Sequence, residues 1–472
     1  LFQIKIILQH LPVLLTFVIL YLLLTLAAGF FASRYVKTSS DFVQAGRRLH
    51  PAMNAAALFA LWFGSETIFG ASSEFVKHGL SGVIEDPFGG VLCLILFAAF
   101  FAKKLYNLNL VTIGDLFRNA YGQKVELIAG LFMLITFFGY VAAQMVALSI
   151  ILNALIPALG MTNGIIICSI IVTAYTFVGG MWAVSITDFI QSIFIVAGLI
   201  MLCLFLIEQA GGITPILAAA PEGFYNFLPP ANATDITNWI AAWLTLGLGS
   251  IPSQDIFQRV NSARSAKAAV YSTYLGALLY LLFALLPLFI ALAAHKLYPE
   301  SKFEDDAQSV IPILVLNHTP LFVQVLFFGS LLSAIMSTCS GALLAPASIL
   351  SENIIKPLMK NSKQDKQFLW ILRLSVILIS IVSLCIAINQ GNIFDLVAQS
   401  SILGIVSLLT PMIAALFFNS THKVGAILSM FLGMGAYILF EYYYPLKIAS
   451  FVPALGISIL AMLSVYFYPV KK

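Results

Sequence analysis

The sequence predicts an all-α membrane protein that crosses the bilayer about thirteen times. Three observations carry that prediction. Of 472 residues, 61% are hydrophobic and 9% are charged, against about 25% charged in soluble domains. The apolar residues gather into runs of roughly twenty or more, the length a helix needs to cross the hydrocarbon. The basic residues fall almost entirely between alternate runs. A membrane barrel is disfavoured, because its strands alternate over only about ten residues.

Breaking the chain at its polar clusters places the spans near 8–32, 52–76, 83–102, 125–157, 163–182, 186–208, 237–256, 268–294, 321–349, 368–389, 393–418, 424–441 and 448–468. The runs 125–157 and 321–349 exceed one bilayer thickness, which calls for tilt or extension beyond it. Nineteen of the 24 Lys and Arg then lie on one side, among them Arg34, Arg47, Arg48, Lys103, Lys104, Arg259, Lys356 and Lys471. Lys5, Lys77, Lys296, Lys302 and Lys447 lie on the other. The positive-inside rule therefore puts the N-terminus outside and the C-terminus inside a plasma (cytoplasmic or inner) membrane. Two Pro-containing polar loops, 209–236 and 295–320, are expected to cap the outer face.

The second span opens a block of five, 51–208, and the seventh opens another, 237–418. Five is odd, so the second block runs inverted. One peripheral helix with the first inside loop (1–50) precedes this 5+5 core, and two peripheral helices (419–472) follow it. The repeat rests on topology alone, without residue-level identity between the halves.

Polar groups at membrane depth are functional hypotheses by default. Glu66 sits mid-span in Gly64-Ser65-Glu66-Thr67. This stretch reads either as a helix that unwinds and frees carbonyls or as a small-residue helix contact. Gly247, Gly249 and Pro252 weaken the seventh span at the corresponding place. Ser333, Ser337 and Ser340 share one face of the ninth span, with Thr338 beside it. Neutral hydroxyls and carbonyls suit a monovalent hard cation such as Na⁺, since Mg²⁺ or Ca²⁺ recruits carboxylates; helix packing is the other reading. Asp188 either faces an inside vestibule or caps the sixth span. Gln144 with Tyr140, and Gln399 with Ser400 and Ser401, face a solute or bond between helices. Trp62, Phe63, Trp243 and Tyr140 are candidate aromatic walls. The five cysteines and six histidines show no ligand spacing, so neither disulfides nor a metal centre are expected. The chain contains no Walker sequence, no basic-aromatic surface for nucleic acid and no nucleophile–base pair. ATP hydrolysis, nucleic-acid binding, an organic cofactor and enzymatic activity are not indicated, and the sequence carries no sign of oligomeric state.

At these residues the chain resembles the sodium:solute symporter family over about 8–468. The matching stretches are Trp62–Gly70, Tyr175–Gln191 with its Gly-Gly, Thr-Asp and Ile-Gln elements, Gln258-Arg259, and Met336–Ser340. The resemblance implies the leucine-transporter-like inverted-repeat fold and a Na⁺-coupled symporter working by alternating access. It implies a sodium site from the carbonyls of Ala60, Phe63 and Ala334 and the hydroxyls of Ser337 and Thr338. Asp188 matches an acid on the sodium release route or at a second sodium site. The further hydroxyls of that second site fall on Ser340 and on Gly341, which has none. Solute contacts are expected at Glu66, Thr67, Trp62, Tyr140, Gln144, Gly249, Ser250 and Gln399. The stretch Leu246–Ser250 lacks the aromatic gate and Asn of the sugar-transporting members, and Ile84-Glu85-Asp86-Pro87 looks closer to the choline-type branch. An amine-bearing or zwitterionic solute is therefore favoured over sugar. A proton-coupled version titrating Glu66 or Asp188 and a passive channel are the rivals.

Overall fold

In a computed structural model, the described residues are 12–17, 19–21, 23–24, 27, 30–31, 33–297, 307–359, 365–389, 392–418 and 422–467. Among them the regular structure is helical, with one isolated bridge between Leu49 and Ala263. Helix falls on every expected span from the second onward. Of the first expected span, 8–32, residues 12–17, 19–21, 23–24, 27 and 30–31 are described and are helical, and the rest lie outside the described residues.

The architecture follows from where helices are made to stop. Helix α1 (Pro51–Trp62) opens with Pro at its first position and the His50 side chain accepting from Ala52 N, a place where the missing N–H costs nothing. It ends at Phe63, whose ψ of 65° leaves the helical region. A π turn over Glu66–Gly70 restarts the path into α2 (Ala71–His78). Helix α3 (Gly90–Leu96) continues through a second π turn to Asn107. Helix α4 (Gln123–Leu155) is uninterrupted. The fifth and sixth expected spans form one run, α5 (Met161–Gln209), broken at Gly180 with φ 51° and ψ −154°. Only glycine takes that conformation readily, and a Cβ there would stand 2.6 Å from the Phe42 ring.

The second half repeats the pattern of interruption. Helix α6 (Ala233–Gly249) starts where the Asn232 side chain accepts from Asp235 N. It stops before Pro252, and the short α7 (Gln254–Ser262) follows. Then come α8 (Ala266–Leu297), α9 (Leu321–Ile349), α10 (Asp365–Ile388) and α11 (Ile393–Gly404). Helix α9 is enclosed: from Phe327 to Ile349 nearly every residue is buried, with α5, α4 and α10 around it. Helix α1 packs between α8 and α5 and touches α9. The two breaks, at 63–64 and 249–252, are buried or half-buried within the protein, where broken backbone is tolerated. Loop 209–236 lies over α2, with Phe224 against Phe75 at 4.7 Å between ring centres and Leu80 N donating to Phe224 O.

Helices α12 (Lys423–Ile438) and α13 (Phe451–Phe467) pack on each other beside the core. Helix α12 also packs on the π turn Ile405–Leu409 that follows α11, and this contact depends on small residues, as helix packing in lipid generally does. A Cβ on Gly433 would stand 1.9 Å from the Val406 carbonyl, whereas one on Gly435, half a turn further, would meet nothing. Gly433→Ala should therefore lower the melting temperature of the detergent-purified protein, at an overpacking cost of about 1–3 kcal/mol. Gly435→Ala should leave it unchanged or raise it slightly, because alanine favours helix. Equal melting temperatures for the two variants would contradict this packing.

Candidate ion and solute sites

The break in α1 brings its last carbonyls against α9. Thr338 Oγ1 donates across the gap to Ala60 O at 2.9 Å and lies 3.1 Å from Ala334 O in its own helix. One hydroxyl proton is thus shared between two carbonyls that face each other. Ser337, one residue earlier, gives its hydroxyl proton to Asp188 Oδ1. A hydroxyl that donates outward to a carboxylate turns its lone pairs the other way, which is how an outer partner orients a ligand. Phe63 sits at the break with its ring against Phe59 and Tyr280. Ala60, Ala334 and Thr338 are in contact, and Phe63 and Ser337 flank them.

Asp188 is not a free acid at a vestibule. Its Oδ2 lies 3.3 Å from Nη2 of Arg259, and both side chains are fully buried. Arg259 belongs to α7, and its Nε also donates to Ala57 O at 2.9 Å. The pair therefore ties the short α7 to α5 and to the last turns of α1. Gly341 has a steric explanation here: a Cβ on it would stand 2.4 Å from Nη2 of Arg259. The residue without a hydroxyl makes room for a guanidinium. Ser340 Oγ donates to the Ser337 carbonyl within its own helix.

Charge counting assigned Arg259 to an inside loop; the structure instead buries it completely in the core. The spacing Gln258-Arg259 marked the position, but no period distinguishes a solvated Arg from one that reaches back into the bundle.

Glu66 stands on the other side of the break. Its Oε2 accepts from Gln144 Nε2 at 3.0 Å, and Gln144 Oε1 in turn accepts from Ser65 N at 3.1 Å. A Cβ added to Gly64 would lie 2.9 Å from both Glu66 Oε2 and Thr338 Oγ1. The carboxylate and the α1–α9 contact thus face each other across one glycine. Glu66 also lines a cavity of about 580 Å³, counting the space open to solvent. Trp62, Phe137 and Tyr140 form its aromatic side, Gly249 and Ser250 come from the α6 break, and Ser400 and Ser401 come from α11. Helices α6 and α11 meet backbone to backbone, since a Cβ on Gly249 would stand 2.5 Å from Ser401 O.

Of the expected solute residues, Trp62, Glu66, Tyr140, Gly249 and Ser250 line this cavity. Gln144 holds Glu66 from behind. Thr67 turns away, toward Asp86, Tyr280 and the Trp62 carbonyl. Gln399 is exposed and does not line the cavity, while its neighbours Ser400 and Ser401 do. The sequence reading missed Asp255, a buried wall residue whose Oδ1 accepts from Ser253 Oγ and Ile256 N. Its position just after Pro252, at a helix start, was the available signal.

A model of the sodium:solute symporter family matches residues 42–433. The human high affinity choline transporter 1 is 27% identical over 432 residues, covering 87% of this chain and 73% of that protein. The high-affinity proline transporter PutP of Bacillus subtilis (strain 168) is 28% identical over 438 residues, 88% of this chain and 89% of that one. Among solved structures, a Na⁺-coupled sialic acid symporter in a substrate-bound outward-open state superposes with a TM-score of 0.83 at 18% identity, over 96% of this chain and 97% of that chain. Mhp1, a nucleobase-cation-symport-1 family transporter in a closed conformation, gives 0.61 at 16% identity, over 92% and 95%. With a helical fold interrupted in two of its helices and a family match over most of its length, this chain is a multi-pass membrane transporter and belongs to the sodium:solute symporter family.

Proposed function

We propose that this chain is a Na⁺-coupled symporter that imports a small solute bearing a cationic amine or quaternary ammonium group. The observation that carries the reading is the position of Glu66, which faces the α1–α9 contact on one side and the aromatic cavity on the other. Sodium takes the carbonyls of Ala60, Phe63 and Ala334 and the hydroxyls of Ser337 and Thr338. The two carbonyls that now share one Thr338 proton become ligands of the ion, and α1 is drawn onto α9. The solute binds beside the break, between Glu66 and the α6 interruption.

The cavity supports a cationic solute. It carries two carboxylates, Glu66 and Asp255, and its lining includes no Lys, Arg or His. Trp62, Phe137 and Tyr140 offer ring faces to which an ammonium is attracted, by about 0.5–2 kcal/mol per contact. A solute whose only charge is a carboxylate would meet like charge there. The choline transporters among the relatives fit this chemistry; a zwitterion such as proline would need the Ser250, Ser400 and Ser401 hydroxyls for its carboxylate.

Coupling requires that ion and solute each bind one conformation better than the other. A membrane potential of 100 mV contributes about 2.3 kcal/mol per unit charge moved, so a cationic solute draws on the potential as well as on Na⁺. An inward Na⁺ gradient and an inside-negative potential make inward transport the energised direction, and the charge pattern favours an N-terminus outside.

In proteoliposomes, radiolabelled choline or another methylated amine should accumulate above equilibrium under an inward Na⁺ gradient, faster with an inside-negative potential. Collapse of accumulation by a Na⁺ ionophore is the expected control. Uptake that followed ΔpH and ignored Na⁺ would establish proton coupling instead, and flux without accumulation would establish a channel. Thr338→Ala should raise the Na⁺ concentration for half-maximal uptake about tenfold, the loss of about 1.4 kcal/mol; an unchanged value would remove Thr338 from the ion site. Glu66→Gln should weaken both half-saturation values, for Na⁺ and for solute. A change in the solute value alone would separate Glu66 from the ion.

A further inference from the structure

Thr67 leaves the solute cavity on the far side of the α1 break, and there it meets a second buried carboxylate. Asp86 is 1% exposed and lies in the turn Ile84–Gly89 that leads into α3. One of its oxygens accepts from Tyr280 Oη on α8, and the other lies 3.0 Å from Thr67 Oγ1. Thr67 Oγ1 is also 3.1 Å from the Trp62 carbonyl and 2.7 Å from Tyr280 Oη. Five oxygens thus make four contacts at hydrogen-bonding range, while Thr67 and Tyr280 bring one hydroxyl proton each. With the Tyr280 proton on Asp86, Thr67 can serve only one of its three neighbours at a time. Two contacts remain oxygen against oxygen.

Charge sets the same demand. Among the described residues, none of the ion pairs involves Asp86 or the adjacent Glu66. An ionised carboxylate buried without a partner is costly and must be neutralised. A small cation among these oxygens meets both requirements. The donor set is one carboxylate, two neutral hydroxyls and one carbonyl, all hard oxygens carrying a single negative charge, which suits an alkali ion better than a divalent one.

We propose that Asp86, Thr67, Tyr280 and the Trp62 carbonyl form a second Na⁺ site, separate from that of Ala60 and Thr338 and on the opposite side of the α1 break. It is also distinct from Asp188, whose charge Arg259 already balances. The ion ties the π turn Glu66–Gly70, the entry to α3 and α8 to one another. Because Trp62 supplies its carbonyl here and its ring to the solute cavity, occupancy of the site fixes part of the solute wall.

The test is equilibrium binding of ²²Na⁺ to the purified full chain in detergent. Wild type should bind two Na⁺ per chain, Asp86→Asn one, and Thr338→Ala should lower the affinity of the ion that remains in Asp86→Asn. Tyr280→Phe, which removes one oxygen and keeps the ring, should weaken one class of site about tenfold without touching the Thr338-dependent class, and serves if Asp86→Asn does not fold. A count unchanged by Asp86→Asn, whether one or two, overturns the proposal. So does unchanged binding in Tyr280→Phe. A count that falls with Asp86→Asn but ignores Thr338→Ala keeps this site and overturns the other, so the two readings fail separately.

Discussion

A backbone carbonyl inside a bilayer must be bonded or must hold something, because no water is there to take it. The interruption of α1 at Phe63 and Gly64 is where this chain meets that requirement, and the surrounding arrangement answers to it. Helix α9 supplies Thr338, whose proton is shared between Ala60 and Ala334. Helix α4 supplies Gln144, which satisfies Ser65 N and Glu66 together. Helix α8 supplies Tyr280 toward Thr67. Three neighbours thus close on one broken turn, each with a polar group on an otherwise apolar face. Such side chains would be costly on lipid-facing helices; around the break they are what makes it affordable.

The buried charges divide into two kinds by how they are balanced. Asp188 and Arg259 form a closed pair, and removing either would leave the other uncompensated at a cost of about 3–5 kcal/mol. The pair holds α7 against α5 by an ionic contact, and the same guanidinium anchors α7 to α1 by a hydrogen bond to Ala57 O rather than by apolar packing alone. Glu66 and Asp86 have no such partner among the described residues. A protein that moves cations has a use for carboxylates left open in this way. On the symport reading, the distinction separates structural charge from charge available to cargo.

Much of this was legible in the sequence, for a physical reason. Span positions follow from apolar run length, and the two interruptions follow from Gly64, Gly247, Gly249 and Pro252 breaking those runs. The Ser337-Thr338 pair announced itself as polar groups on an apolar face. What was hidden is what depends on long-range approach. Arg259 read as a loop charge because its reach into the core depends on Gly341, 82 positions away in sequence. Asp86 read only as a mark of one branch, since its partners Thr67 and Tyr280 lie on different helices. Gln399 looked equivalent to Ser400 and Ser401 until the helix direction showed that it faces outward. Periodicity gives the face of one helix; it cannot say which faces meet.

Coupling of a cation to a cationic solute poses an electrostatic problem that the geometry around Gly64 addresses. Two unit positive charges about 6 Å apart repel by roughly 3 kcal/mol at an effective dielectric constant near 20. On that term alone, bound Na⁺ would expel an ammonium from the adjoining cavity, and the two would bind with negative cooperativity. A carboxylate set between them lowers the energy of each cation separately but leaves their mutual repulsion in place, so positive coupling must come from a conformation that both favour. Glu66 stands in that position, and Gly64 keeps the line from its carboxylate to Thr338 clear of any side chain. On the symport reading, one acid and one missing Cβ therefore lower the cost of holding two cations side by side, the shared preference for one conformation sets the sign of coupling, and the aromatic walls set which ammonium is admitted.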